Sequence, residues 1–211
     1  MKIQKIRIIV LVDLSLYTNS LIKVATKWAG LLNAELILVH EVPRLVPALA
    51  DDDTRYEIID HEKDEALSVL ERLAERSIPN RIPVGFEVTE RRLIDFLSQL
   101  IPKKKQTLLM MGLKGTGLLK KVFIGSVATQ IINELNKITV GVPLEINQAI
   151  PENLIIPINP DYSLNEEKLD QLVTYLRHSL KNIDFVSIDQ SGGEEDQQIK
   201  ELSNKFNPDY S

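Results

Sequence analysis

Five strand-like stretches rich in β-branched residues alternate with segments of helical period over the first 143 residues. That alternation restricts the chain more than any other feature. Parallel strands need a crossover between them, and the crossover helices cover both sheet faces. The stretch Lys5–Val12 is almost continuously apolar, as expected of a strand buried on both faces, and Asp13-Leu14-Ser15 breaks it. From Tyr17 the period becomes helical, with Leu21, Val24, Ala25, Trp28 and Leu32 on one face. A second strand is expected over Ala34–Val42, and Pro43 and Pro47 mark the loop after it. Asp51-Asp52-Asp53 opens a helix running to about Arg76, with Ile59, Leu67, Leu70, Leu73 and Ala74 inside. Arg81–Thr89, Thr107–Met111 and Ile138–Pro143 read as strands, Leu93–Ile101 and Ser126–Asn136 as helices, and a glycine-rich loop precedes Ser126.

Charge divides the chain of 211 residues. Residues 1–150 hold 20 Lys+Arg against 18 Asp+Glu, whereas residues 151–211 hold 5 against 12. A shift of that size points to two units. The expected domains are 1–147 and 152–211, joined at Gln148–Asn153. The second unit reads as a small appended βαβα module. Its segments are strand Asn153–Ile158, helix Leu164–Leu180 (Leu169, Leu172, Val173 and Leu176 inside), strand Ile183–Ile188 and helix Glu194–Phe206. The pentapeptide NPDYS occurs twice, at 159–163 and 207–211, which is too short to define a repeat.

Several functions are disfavoured at once. There is no cysteine, which removes disulfides, thiolate metal sites and a cysteine nucleophile. The three histidines, at 40, 61 and 178, are scattered, so a metal site built on them is not expected. A net charge of −5 argues against a general nucleic-acid binder. The apolar run ending at Asp13 is too short to span a bilayer and lacks a signal-peptide cleavage site. A soluble, cytoplasmic protein without membrane insertion is the expectation.

The chemistry-bearing stretch is MGLKGTGLLKKVFIGSVA, residues 111–128. Gly112 and Gly115 follow a strand, and Gly125-Ser126 opens a helix. Glycines let backbone N–H groups approach a ligand, and a helix N-terminus supplies unpaired donors and partial positive charge. Lys114, Lys120 and Lys121 add cations. The stretch is a candidate anion cradle; it is equally a surface loop with a serine N-cap. It is neither a P-loop nor a dinucleotide fingerprint, because neither glycine spacing occurs.

Gly112-x2-Gly115-x9-Gly125-Ser126 resembles the nucleotide-binding pattern of the universal stress protein family. So do the first strand, ending in Val12-Asp13-Leu14-Ser15, and the second, ending in Leu38-Val39-His40-Glu41-Val42. The resemblance covers about residues 1–145 and is to the ATP-binding branch. It implies a Rossmann-like α/β fold, an open five-stranded parallel sheet of order 3-2-1-4-5 with helices on both faces. It implies ATP, with or without Mg, at the carboxyl edge of the sheet. By the same resemblance Asp13 would lie near adenine and ribose, and Glu41 would offer backbone groups to the adenine edge. Met111, Gly112, Lys114 and Gly115 would wrap ribose and phosphates, and Gly125, Ser126, Val127 and Ala128 would hold the phosphates. Two departures stand out: Leu11-Val12 replaces the frequent Pro-Thr, and Glu41 stands where valine is common. The resemblance further implies a homodimer through the Ile138–Pro143 edge strand. The second unit would be a shortened, degenerate copy without the glycine pattern.

Other residues have plainer readings. His40 is expected as a hydrogen-bonded buried histidine, Trp28 as core, and Asp51-Asp52-Asp53 as a solvated helix start. Ser191-Gly192-Gly193-Glu194-Glu195-Asp196 resembles the pyrophosphatase loop of ATP pyrophosphatases, but its three acids repel phosphate. No general base and no carboxylate pair accompany the glycine stretch. The expected function is an ATP-binding stress-response module that senses nucleotide and signals to an unknown protein partner. The alternatives are a slow ATPase and an interaction module, such as a transporter-associated domain, with an empty site.

Overall fold

The structure, a computed structural model, describes residues 6–43, 51–101, 106–116, 121–123, 126–159, 163–187 and 194–206. The chain divides into two compact units, Met1–Ala149 and Ile150–Ser211. In the first, β1 (Arg7–Leu11), α1 (Thr18–Leu32), β2 (Glu35–Glu41), α2 (Asp52–Ser77), β3 (Val84–Thr89), α3 (Leu93–Leu100) and β4 (Thr107–Gly112) follow in order. Then come β5 (Lys114–Thr116), β6 (Lys121–Phe123), α4 (Ser126–Leu135) and β7 (Ile138–Val142).

The main sheet has five parallel strands in the order β3-β2-β1-β4-β7. This is the α/β architecture and strand order expected from the sequence. Register sets the core in rows. Leu11 pairs with Val39 on one side and Met111 on the other, and Ile9 with Ile37 and Leu109. These side chains pack with Ile94 and Leu97 of α3 and Ile131 of α4. The alternate residues Ile8, Val10, Leu36, Leu38, Leu108 and Met110 are fully buried as well, so the central strands are covered on both faces. Helix α1 lies against β1, β2, β4 and β7, burying Leu21, Val24, Ala25 and Trp28.

Two expectations for the first unit are corrected. The third strand starts at Val84, not Arg81, because the Ile82 N–H turns back onto the Pro79 carbonyl at 2.9 Å. The stretch after β4 is not simply a loop: β5 and β6 form a short antiparallel ladder, Lys114 opposite Phe123 and Thr116 opposite Lys121. Pairing satisfies backbone groups that a glycine-rich loop would leave to water. The units divide between Ala149 and Ile150, within the expected junction, and the residues leading into it are tied to α1. The Trp28 indole N–H donates to the Ala149 carbonyl at 2.9 Å, and the Ser20 hydroxyl donates to the Leu144 carbonyl.

Helix α2 begins at Asp51, whose Oδ1 accepts the Thr54 N–H at 2.8 Å. Hydrogen bonding from the Thr54 side chain, and then from its N–H, holds the Asp51 carboxyl below the ordinary aspartate value. A carboxyl lowered by folding stabilises the folded state above its unfolded pKa and loses that contribution as pH falls through the folded value. The first turn of α2 is therefore expected to loosen on acidification through that range. Asp51→Asn, which still caps a helix, should remove this pH dependence. The Thr54 amide shift followed through an acid titration checks it; a shift that titrates equally in both proteins would count against the cap.

The second unit comprises β8 (Asn153–Ile158), α5 (Glu166–Leu176), β9 (Asn182–Ser187) and α6 (Glu194–Phe206), with β8 and β9 parallel. Helix α5 is shorter at both ends than its apolar period suggests. Asn165 caps it by accepting the Lys168 N–H at 3.0 Å, and Ser179 and Leu180 fold back onto the Leu176 carbonyl. Its core is Ile158, Leu169, Ile183, Phe185, Leu202 and Phe206. Tyr175 is buried too, a position the helical period does not single out.

Candidate functional site

The carboxyl ends of β1, β2 and β4 surround a cavity of about 540 Å³. Open parallel sheets leave such a crevice where strand order reverses, here between β1 and β4. Its floor is the last row of the core on the α3–α4 face: Leu11, Val39 and Met111, with Ile131 of α4. The strand period of two then carries Asp13 above Leu11 and Glu41 above Val39. Both acids line the cavity, as do Gly112, Leu93 of α3, Pro43, and Val127 and Ala128 of α4.

Of the residues singled out in the sequence, Asp13, Glu41, Met111, Gly112, Val127 and Ala128 thus meet on one cavity. Lys114 and Gly115 belong to β5, beyond Gly112, and Ser126 opens α4. Gly125 and Lys120 lie outside the described residues, as does Ser191–Gly193 of the second unit. Leu11, Val39, Leu93 and Ile131 were not foreseen. An apolar residue at a strand end looks the same in sequence whether it faces core or ligand, and only its parity with Asp13 and Glu41 hints at the difference.

Asp13 organises the loop after β1. Its Oδ1 accepts both the Ser15 N–H at 3.1 Å and the Ser15 hydroxyl at 2.6 Å. Ser15 Oγ in turn accepts the Tyr17 N–H at 3.2 Å. The turn holds Leu14 at φ 53°, a left-handed conformation rare for leucine and costing about 1 kcal/mol or more. Tyr17 packs against the end of β4: a Cβ built on Gly112 would lie 2.9 Å from Tyr17 Cβ. Glycine is needed at 112 for that close approach.

His40 is half-buried, and the pleat turns its ring to the face opposite Val39 and Glu41. Its Nδ1 lies 2.7 Å from the Val12 carbonyl oxygen. A carbonyl only accepts, so Nδ1 carries the proton and the ring ties β2 to the end of β1.

Two helix N-termini border the cavity, and they differ. At α3 the Leu93 N–H donates to Glu41 Oε2 at 3.2 Å. The preceding Arg92 forms a two-pronged pair with Asp95, at 2.9 and 3.1 Å. That pair raises the Arg92 pKa and lowers the Asp95 pKa, chiefly through the hydrogen bonds between them. The first turn of α4 carries no acidic residue. Its leading N–H groups have no partner inside the helix. The cavity is therefore polarised, with carboxylates over β1 and β2 and a helix N-terminus of opposite sign beside β4. Among the described residues no cluster of three or more His, Asp or Glu could hold a metal, and no helix is long and apolar enough to cross a membrane.

Residues 6–141 match the sequence model described as the Universal stress protein family. Similar solved structures include a protein from the universal stress protein family of Burkholderia pseudomallei, 18% identical, covering 65% of this chain and 95% of that one, with a TM-score of 0.46. Universal stress protein UspA from Lactobacillus plantarum is also 18% identical, over 66% of this chain and 98% of its own, with a TM-score of 0.46. A universal stress protein from Archaeoglobus fulgidus is 17% identical, covering 66% and 99%, with a TM-score of 0.42. No curated protein matches this chain.

Proposed function

The chain belongs to the universal stress protein family, and on that premise we propose that its cavity binds an adenine nucleotide and that occupancy, rather than turnover, is the output. The observation that carries this reading is the polarised cavity itself. Its volume, about 540 Å³, lies within the range usual for small-molecule sites. Phosphates belong at the α4 end, where N–H donors and the helix dipole favour anions. The base and ribose belong at the β1–β2 end, over the apolar floor, away from phosphate repulsion by Asp13 and Glu41. Occupancy rather than turnover is favoured because the carboxylates of the cavity, Asp13 and Glu41, lie on β1 and β2, away from the α4 end that would take the phosphates. Binding would alter the surface that the β5–β6 ladder offers to a protein partner. β7 forms one edge of the sheet, and pairing of two such edges would make a homodimer and remove an aggregation-prone surface.

The test is nucleotide identification in protein purified without additives, followed by titration of stripped protein with ATP, ADP, AMP and cyclic AMP. Micromolar ATP affinity is expected. Absence of binding by all four would leave the interaction-module alternative in its place. Asp13→Asn provides a sharper check. The amide oxygen can still accept from Ser15 and keep the turn, but the charge available to a ribose hydroxyl is gone. ATP affinity should fall about tenfold, the scale of one charge-assisted hydrogen bond, with Tm nearly unchanged. An unaltered Kd would remove Asp13 from the binding site.

A further inference from the structure

Parallel strands are almost always covered on both faces. The central strands of the main sheet obey that rule, but β8 and β9, a sheet of two, do not. On their inner face Leu154, Ile156, Ile158, Ile183 and Phe185 pack with Leu169 of α5 and with Leu202 and Phe206 of α6. The pleat turns the alternate residues the other way. Register sets them in three rows: Asn153 beside Asn182, Ile155 beside Asp184, and Pro157 beside Val186. Ile155 is 70% exposed and Val186 41%, and Pro157 is exposed as well. Their side chains are apolar surface, in mid-strand, that folding has not removed from water.

The dimensions and charge of this outer face define what would cover it. Two strands about 5 Å apart and six residues long make a strip about 20 Å in length. One helix, about 10 Å across, covers such a strip with about 14 residues. Strand addition at β8 is opposed by Pro157, which has no N–H to give to a neighbour. Asp184 is the one ionisable side chain of the three rows, and the Asn182 amide orients it by donating to Oδ2 at 2.8 Å. Residues 151–211 as a whole hold 12 Asp+Glu against 5 Lys+Arg. A second copy, an anionic lipid surface and a nucleic acid would each bring this acidic unit more negative charge. A cationic partner is attracted. We propose that the outer face of β8 and β9 is a docking surface for an amphipathic helix of another protein, its apolar stripe bordered by lysine or arginine. Ile155 and Val186 receive the stripe, and Asp184 receives a border cation. The inference concerns the second unit alone and is independent of the nucleotide reading.

The test titrates the full chain with a helical peptide of about 14 residues built from leucine and lysine, and with its leucine–glutamate counterpart. Methyl NMR locates the contact. The leucine–lysine peptide should bind, shift the Ile155 and Val186 methyls, and weaken as salt rises. The leucine–glutamate peptide should not bind. Ile155→Ser should lower affinity about tenfold, and Asp184→Asn should lower it less while flattening the salt dependence. Both side chains are exposed, so Tm should hold in each variant; Val186→Ser repeats the apolar test should Ile155→Ser lower Tm. Methyl shifts confined to other residues, or full affinity in the serine variants, would reveal general attraction to acidic surface and overturn the proposal. Equal binding of the two peptides overturns it too, as does no binding of the leucine–lysine peptide. Sedimentation of the peptide-free chain covers the remaining occupant: a dimer that Ile155→Ser dissolves would assign the face to a second copy instead.

Discussion

Gly112→Val is expected to reduce ATP affinity by at least a hundredfold and to lower Tm by several degrees. A Cβ at 112 would meet Tyr17 Cβ at 2.9 Å and Cγ at 3.4 Å. Tyr17 Cβ is one bond from the backbone, so the clash cannot be relieved by a rotamer change. Tyr17 must move, and it immediately precedes α1. Its N–H is held by Ser15 Oγ, and the Ser15 hydroxyl by Asp13. One added side chain thus displaces the β1 loop and, with it, the Asp13 carboxylate on the cavity wall. Overpacking of this kind costs about 1–3 kcal/mol, or roughly 2–4 °C of Tm per kcal/mol in a chain of this size. Gly112→Ala should act in the same direction with smaller size. Calorimetric titration and thermal melts read the two effects separately. Full affinity at an unchanged Tm would show that the Tyr17 contact yields and that the rim is not a rigid wall.

Trp28→Ala is expected to be the most destabilising single change in the first unit, at about 3–5 kcal/mol. The side chain is only 2% exposed. Truncation removes its packing and also orphans the Ala149 carbonyl. Trp28→Phe separates these contributions. Most of the apolar volume remains, but the indole N–H is lost, at about 0.5–1.5 kcal/mol for one hydrogen bond to a half-buried acceptor. The second variant should also loosen the stretch after β7, whose other anchor on α1 is Ser20. Faster proteolysis and amide exchange around residues 144–150 are therefore expected, with the sheet amides unaffected. The chain contains a single tryptophan, so unfolding must be followed by calorimetry or circular dichroism. If Trp28→Phe left exchange in that stretch unchanged, the anchor would be incidental to core packing.

Asp13 and the glycine loop that starts at Gly112 were legible as site candidates because each follows the end of an apolar strand, whereas Glu41 and Met111 were implied only by the family resemblance. Leu11, Val39, Leu93 and Ile131 were not legible. Their role depends on which face they share with Asp13 and Glu41, and that is set by register between strands far apart in sequence. The β5–β6 ladder escaped notice for a different reason. Three residues on each side are too few to establish an alternating period.

Strand and helix identity, the parallel sheet and its order were open to sequence reading because they rest on local periodicity, on family resemblance and on the rule that crossovers cover both faces. Helix ends were less so, since the hydrogen bonds of a cap or turn decide them: Asn165 starts α5, and the fold-back onto the Leu176 carbonyl ends it. Only the tertiary structure showed that Trp28 reaches Ala149, 121 positions away, and that Tyr17 presses on Gly112. Only it showed that the Glu41 carboxylate is fastened to the first N–H of α3. Each of these joins a donor, a wall or an acceptor to a partner remote in sequence. Periodicity describes what a segment buries, whereas a contact between segments exists only once the chain has brought them within a few ångströms.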